Sequence, residues 1–447
     1  MMELEDYEDY FIDHPHELSL EDAQFCASQI GRQVLKDLVS LIIYNLTFRL
    51  IIFITQNVKL LRSLNLEPII STIFGVFLLY AHFTDGFLHV FSFIMSSFVV
   101  FKILFHSKFL GYYMEFFCIV TLVVWELVTT DSTTWHKIRG IQMVAAMKII
   151  SISFDQSTEG VGKVSLQNYL GYIFCPATLI YGPWISYKDH VSTFLPRSFR
   201  ITRNLKWVLA NSLIAMIFIL SMNCFFDFVV PDSYPKWIVA YRAALSFRSS
   251  HYFISFMSQA VISAAGMSSP SSNILGEQVT KPLDVEIPRS LNVVVTSWNI
   301  PMHLWLKKYV FSKLVNHNTF FAVLVTYIIS SLLHGLSLQI YAVLVSLAFY
   351  TFVEHRFRKK LSERLNLCIK VGRCRNCCHR RSHFATILNI LFGILAVWHL
   401  AYLGLMFDFS NTQEEGYSLW HTLEKWRALN YLSHWVVLGT FFVTLVL

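Results

Sequence analysis

Apolar runs, most about the length a bilayer demands, alternate with short polar stretches along nearly the whole chain. Eleven read as candidate spans: 38–56, 69–83, 86–106, 110–130, 168–186, 206–230, 237–265, 319–335, 337–355, 384–406 and 430–447. A crossing helix takes roughly 20 apolar residues. In hydrocarbon the backbone must satisfy its own hydrogen bonds, which leaves helices or closed barrels, and runs of this length select helices. The pattern predicts an all-α, polytopic transmembrane helical bundle of about eleven spans, with re-entrant or interfacial helices between some of them. Residues 1–37 read as an acidic N-terminal segment and 38–447 as a single membrane-embedded domain, with no internal repeat and no flexible linker. One stretch breaks the pattern. In 138–154, Ile141, Val144, Ala145, Ile149 and Ile152 share a helical face, but Arg139, Gln142 and Lys148 interrupt it. A partly buried or interfacial helix is expected there.

Composition agrees. The chain is 55% hydrophobic and 15% charged, where a soluble domain carries about a quarter charged residues. Charge placement adds an orientation. The first 22 residues carry nine Asp and Glu, and no Lys or Arg precedes Arg32. A cleaved signal peptide has a basic start and an apolar core, so the first span is expected to act as an uncleaved signal. Cytosolic loops are rich in Lys and Arg. The loop 356–383 holds ten, and 187–205 holds Lys188, Arg197, Arg200 and Arg203. Four proposed spans separate these loops, so both fit one side; the N-terminus then falls outside the cytosol and the C-terminus inside. The stretch 131–167 is the misfit, lumenal by this count yet carrying Lys137, Arg139, Lys148 and Lys163.

Three places carry candidate chemistry. In 319–335, His334 follows Ser331, Ser330 and Tyr327 at helical spacing, a polar stripe expected to face the bundle interior or a wet cavity. In 287–311, an aromatic stretch of mixed polarity, Asn299 sits between Trp298 and Pro301. A buried amide must place its donors and its acceptor, to orient a histidine, to hold a carbonyl, or simply to satisfy a packing helix. Lys307 and Lys308 follow, either as membrane-face anchors or as partners for the phosphates of a nucleotide-bearing donor. Between Cys368 and His383, Cys374, Cys377, Cys378 and His379 offer zinc-ligand types, but no second Cys pair stands at finger spacing. Reduced thiols, some open to palmitoylation, are expected, and no metal. Cys118, Cys175 and Cys224 fall in apolar runs, where thiols act as small hydrophobes. The chain has no nucleophile elbow, no phosphate loop and no zinc-protease motif.

Four strings then resemble the membrane-bound O-acyltransferase family: TTWHKIRGIQMVAAMKIISISFD (133–155), YGPWIS (181–186), KPLDVEIPRSLNVVVTSWNIPMHLWL (281–306) and SSLLHGLSLQIYAVLVSLAFYTFVEH (330–355), with LNILFGILAVWHLAYLGLMFD (388–408) continuing the likeness. The shared pattern is Trp-Asn-x-Pro followed by an intramembrane His. The resemblance implies a fold built around an intramembrane catalytic chamber, with His334 as catalytic histidine and Asn299 as second signature residue. It implies no permanently bound cofactor. The implied donor is palmitoleoyl-CoA, entering from the cytosol. The implied acceptor is a serine in a hairpin loop of a Wnt protein, presented in the endoplasmic reticulum lumen. Membrane lipids, but no nucleic acid, are the other expected partners. His334 would act as general base and a positioned donor, Asn299 among the candidates, would meet the oxyanion. Trp298, Trp305, Tyr327, Ser330 and Ser331 are expected near substrate, and Lys307 and Lys308 near the donor's phosphates. A lipid or sterol acceptor, or a transporter or receptor without catalysis, are the competing readings.

Overall fold

The apolar runs fold as helices whose starts are set by capping chemistry. In a computed structural model, residues 19–128, 132–159, 164–194, 201–267, 278–316, 318–372, 382–407 and 419–447 are described. Eleven helices of fifteen residues or more occur among them: α1 Leu20–Asn57, α2 Glu67–His82, α3 Phe87–Ile103, α4 Leu110–Val128, α5 Ser132–Glu159, α6 Ile201–Leu220, α7 Lys236–Ala264, α8 Thr319–Leu333, α9 Leu338–Leu365, α10 His383–Gly404 and α11 Leu432–Val446. Ser19 and Asp22 form a reciprocal capping box at the start of α1. Asn318, Ser337 and Ser382 accept backbone N–H groups at the starts of α8, α9 and α10. Each such cap satisfies donors that a helix end leaves orphaned.

The architecture is the expected all-α bundle, but one span is misplaced. Segment 168–186 does not cross: it holds a helix only over Leu166–Ile173, then a turn at Pro176–Thr178 and irregular chain to Ser186. The stretch where a partly buried or interfacial helix is expected from sequence is α5, 28 residues long and so about 42 Å, and it is buried. α5 doubles back on α4 across three residues and runs through the centre of the largest apolar cluster, with Ile138, Ile141, Ala145, Ile149 and Ile152 at most 2% exposed. Protein covers most of it, and its buried cation meets protein partners, whereas the fully buried Gln142 amide has none among the described residues. Lys148 is fully buried and donates to the carbonyls of Tyr172 and Ile173, both 3.1 Å, and to Thr178 Oγ1 at 2.7 Å. All three ammonium donors are used at the C-terminal end of the Leu166–Ile173 helix, where a cation is favoured. Lys137, Arg139 and Lys148 thus sit on one long, mostly buried helix; Lys163 lies outside the described residues.

Two further expectations change. Cys224 is not a packed thiol but forms a disulfide with Cys26, 198 residues away. A π turn, Ser221–Phe225, follows α6 and presents Cys224 to the first helix; such a distant pairing leaves no mark in local composition. The basic loop begins later than read, because α9 continues to Leu365 with Arg358 fully buried inside the bundle. Cys374, Cys377, Cys378 and His379 lie outside the described residues, as do residues 1–18 of the acidic N-terminal segment, whose remainder from Leu20 is already part of α1.

Candidate active site

The segment between α7 and α8 is a chain of short helices, Pro282–Glu286, Leu291–Trp298 and Ile300–Leu306, too broken to span and too polar to float free. Long helices hold it at each break. Arg248 of α7 grips Glu286 through two bonds of 2.7 and 2.8 Å, and Tyr252 donates to the same carboxylate at 2.7 Å. Glu354 of α9 accepts the Leu291 N–H at 2.8 Å, a carboxylate at a helix start, where the dipole favours it. Gln259 accepts from Val279 N at 2.7 Å, and Val279 in turn accepts from Ile300 N at 2.8 Å.

The break at Asn299 follows from its neighbours. Pro301 has no N–H to continue the preceding helix, and Asn299 leaves helical geometry at φ −140°, ψ 88°. Its Oδ1 accepts the Met302 N–H at 3.1 Å and so caps Ile300–Leu306. One lone pair of the oxygen is thereby used, and the two N–H donors of the amide stay available alongside the second lone pair. The Trp298 carbonyl loses its helical partner at the same break and is met by Nε2 of His251, 2.9 Å away on α7. Because a carbonyl only accepts, Nε2 carries the proton and Nδ1 the lone pair. The His251 and Trp298 rings stack at 4.2 Å and 8°.

His334 is the C-cap of α8, at φ −83°, ψ 2°. α8 has only 15 residues, about 22 Å against a hydrocarbon core of about 30 Å. A helix that short, starting at one face, ends at membrane depth. Gly335 follows at φ +89°, a conformation that costs glycine nothing, and α9 starts three residues later. His334 lies deep in the bundle and within electrostatic reach of His251 and Arg139, yet both histidines stay only partly buried, as side chains lining internal space do. Since His251 is bonded to the residue before Asn299, the two helix breaks converge on one region. Among the described residues nothing is hydrogen-bonded to the His334 ring.

The other candidates divide. Trp298 flanks this region through His251. Tyr327, Ser330 and Ser331 share the α8 face leading to His334, but the Ser331 hydroxyl is spent on its own helix, donating to the Tyr327 carbonyl at 2.8 Å. Trp305 is fully buried and its indole N–H donates to the Met147 carbonyl at 3.0 Å, which ties Ile300–Leu306 to α5. Lys308 pairs with Asp155 at 2.8 Å, a carboxylate that also accepts from the Tyr309 hydroxyl, while Lys307 is exposed. A groove of about 920 Å³ lies between α7, the Asp284–Ser297 stretch and α10. Its lining includes Asp284, Arg289, Asn389 and Trp398 but neither His334 nor Asn299. Sequence reasoning missed His251 and Glu126, whose role is argued below. Each was an isolated polar residue within or at the end of an apolar run, with a partner that is a backbone atom far along the chain.

Comparison with known proteins adds to this geometry. The model of the membrane-bound O-acyltransferase family matches residues 132–378. The chain is 37% identical over 401 residues to the protein-serine O-palmitoleoyltransferase porcupine of Mus musculus, covering 83% of this chain and 86% of the relative. The Homo sapiens protein of that name gives the same figures. The Anopheles gambiae one is 35% identical over 465 residues, covering 94% and 93%.

Proposed function

From a chain that belongs to the membrane-bound O-acyltransferase family, and so is a membrane acyltransferase using an acyl-CoA donor, we propose an enzyme that moves a palmitoleoyl group from palmitoleoyl-CoA to a serine hydroxyl of Wnt proteins in the endoplasmic reticulum. The substrate and acceptor residue follow the relatives' activity; the Wnt hairpin acceptor follows the motif resemblance. The observation that carries the mechanism is the His334 ring at a helix end, with no hydrogen-bond partner among the described residues, in electrostatic reach of the His251 that holds the residue before Asn299. His334 takes the serine proton as the oxygen attacks the thioester carbonyl, a step in which a positioned base is worth about 10²–10⁴-fold. The Asn299 side-chain N–H, not used by the cap that its oxygen makes, meets the oxyanion; one such donor is worth about 10²–10³-fold. The C–S bond then breaks, and the CoA thiolate takes the proton from His334 and leaves to the cytosol. The Cys26–Cys224 disulfide supports the orientation. Disulfides persist in oxidising compartments, and the charge count puts the start of α1 and the end of α6 on the lumenal side.

The test offers the purified protein palmitoleoyl-CoA with a disulfide-closed Wnt hairpin peptide, its Ser→Ala counterpart, a lysophospholipid and a sterol. Ester-linked acyl transfer to the serine peptide alone, with one CoA released per peptide acylated, is expected. Transfer to the lipid or sterol in preference would keep the family chemistry and replace the acceptor.

A further inference from the structure

The turn that carries His334 is held by a carboxylate on a distant helix. Between Leu333 and Ser337 the backbone makes only short-range bonds, His334 N to Ser331 O at 3.0 Å and Gly335 N to Leu332 O at 3.1 Å. The next donor, Leu336 N–H, points away from α8 and is accepted by Glu126 Oε2 at 2.5 Å. Glu126 lies in the last turn of α4, 210 residues earlier in the chain. The approach is close: a Cβ on Gly335 would sit 2.7 Å from Glu126 Oε2, and the left-handed φ of Gly335 already disfavours any side chain there. Arg139, near the start of α5 and so beside the end of α4 across their three-residue connection, interacts electrostatically with both Glu126 and His334. One carboxylate therefore joins the last turn of α4 to the α8–α9 turn.

We infer that Glu126 is a positioning residue for His334: its carboxylate fixes the Gly335–Leu336 backbone and through it the placing of the imidazole. The inference rests on His334 being the base. A base at a helix end lacks the onward hydrogen bonds that would hold it in mid-helix, so a charge-assisted bond two residues on decides how well it stays aligned. Misplacing a reacting group by about 1 Å can cost on the order of 10²-fold.

The experiment measures kcat and KM for palmitoleoyl-CoA, per folded molecule by size-exclusion elution, with the Wnt hairpin peptide as acceptor. Glu126→Ala is expected to lower kcat by roughly 10- to 100-fold with KM for the donor unchanged. Glu126→Gln, whose amide oxygen still accepts the Leu336 N–H, is expected to recover most of the rate. If the alanine variant does not fold, Glu126→Asp replaces it; its carboxylate is drawn back by about one C–C bond of ~1.5 Å, and the same fall in kcat is expected. A purely structural role would reduce the yield of folded protein and leave turnover per molecule alone, and that result overturns the inference. Equal losses in the alanine and glutamine variants also overturn it. His334→Ala run alongside separates the two ideas: if it keeps wild-type turnover, the reading of His334 fails; if it is inactive while Glu126→Ala is unimpaired, only the positioning role fails.

Discussion

His334→Ala is expected to give a folded protein that still binds palmitoleoyl-CoA but transfers its acyl group roughly 10²–10⁴-fold more slowly. The ring is a weak contributor to the fold, since no described residue is hydrogen-bonded to it. The backbone at 334 bonds to Ser331 whatever the side chain. Donor affinity should survive as well, because the long acyl chain and the CoA moiety contact far more surface than one imidazole. The loss therefore belongs in kcat. Donor-induced stabilisation against heat, compared between wild type and mutant at equal protein concentration, separates binding from chemistry. A mutant whose donor binding and turnover fall together would place His334 in donor binding instead.

The second large effect is on the fold. Arg358→Ala is expected to prevent recovery of a monodisperse protein. Arg358 is fully buried and joins its own helix to three other pieces of chain. Its guanidinium donates to Ile369 O at 2.8 Å, Arg289 O at 2.6 Å, Glu354 Oε1 at 2.9 Å and Asn389 Oδ1 at 2.9 Å, and lies 4.5 Å from the Phe392 ring centre. Breaking a buried ion pair by removing one partner costs about 3–5 kcal/mol, and the acceptors left behind add to that. The damage reaches the site, because Glu354 also holds Leu291 at the start of the helix that ends at Trp298. Arg358→Lys, with three donors on a single nitrogen, should fall between. Elution profile and melting temperature in detergent check both variants; a wild-type melting temperature for Arg358→Ala would show that the network adds nothing.

Hydropathy placed most of the long apolar helices well. Span 237–265 is helix Lys236–Ala264, and 319–335 is helix Thr319–Leu333 plus its cap. It says less where a helix is covered by protein. α5 is too polar for a lipid-facing span, and it is buried, with Lys148 satisfied by backbone carbonyls of another segment. Segment 168–186 looked like a span because Tyr169, Tyr172, Ile173 and Phe174 are apolar, although they are buried by protein. The site shows the same division. His334 and Asn299 stood out as polar residues in apolar surroundings, with a shared motif behind them. Their supports did not, since His251 and Glu126 act on backbone atoms 47 and 210 residues away. Lys308 drew notice for its charge, whereas in the fold it is paired with Asp155.

The most direct measurement is the position of a bound donor analogue, a palmitoleoyl ketone with a methylene between carbonyl and CoA sulfur, in a structure of the purified protein. The account predicts the carbonyl carbon beside the His334 ring and the Asn299 amide, with the CoA moiety toward the Asn318 end of α8. A carbonyl lodged in the groove lined by Asp284, Arg289 and Trp398, out of reach of His334, would contradict it.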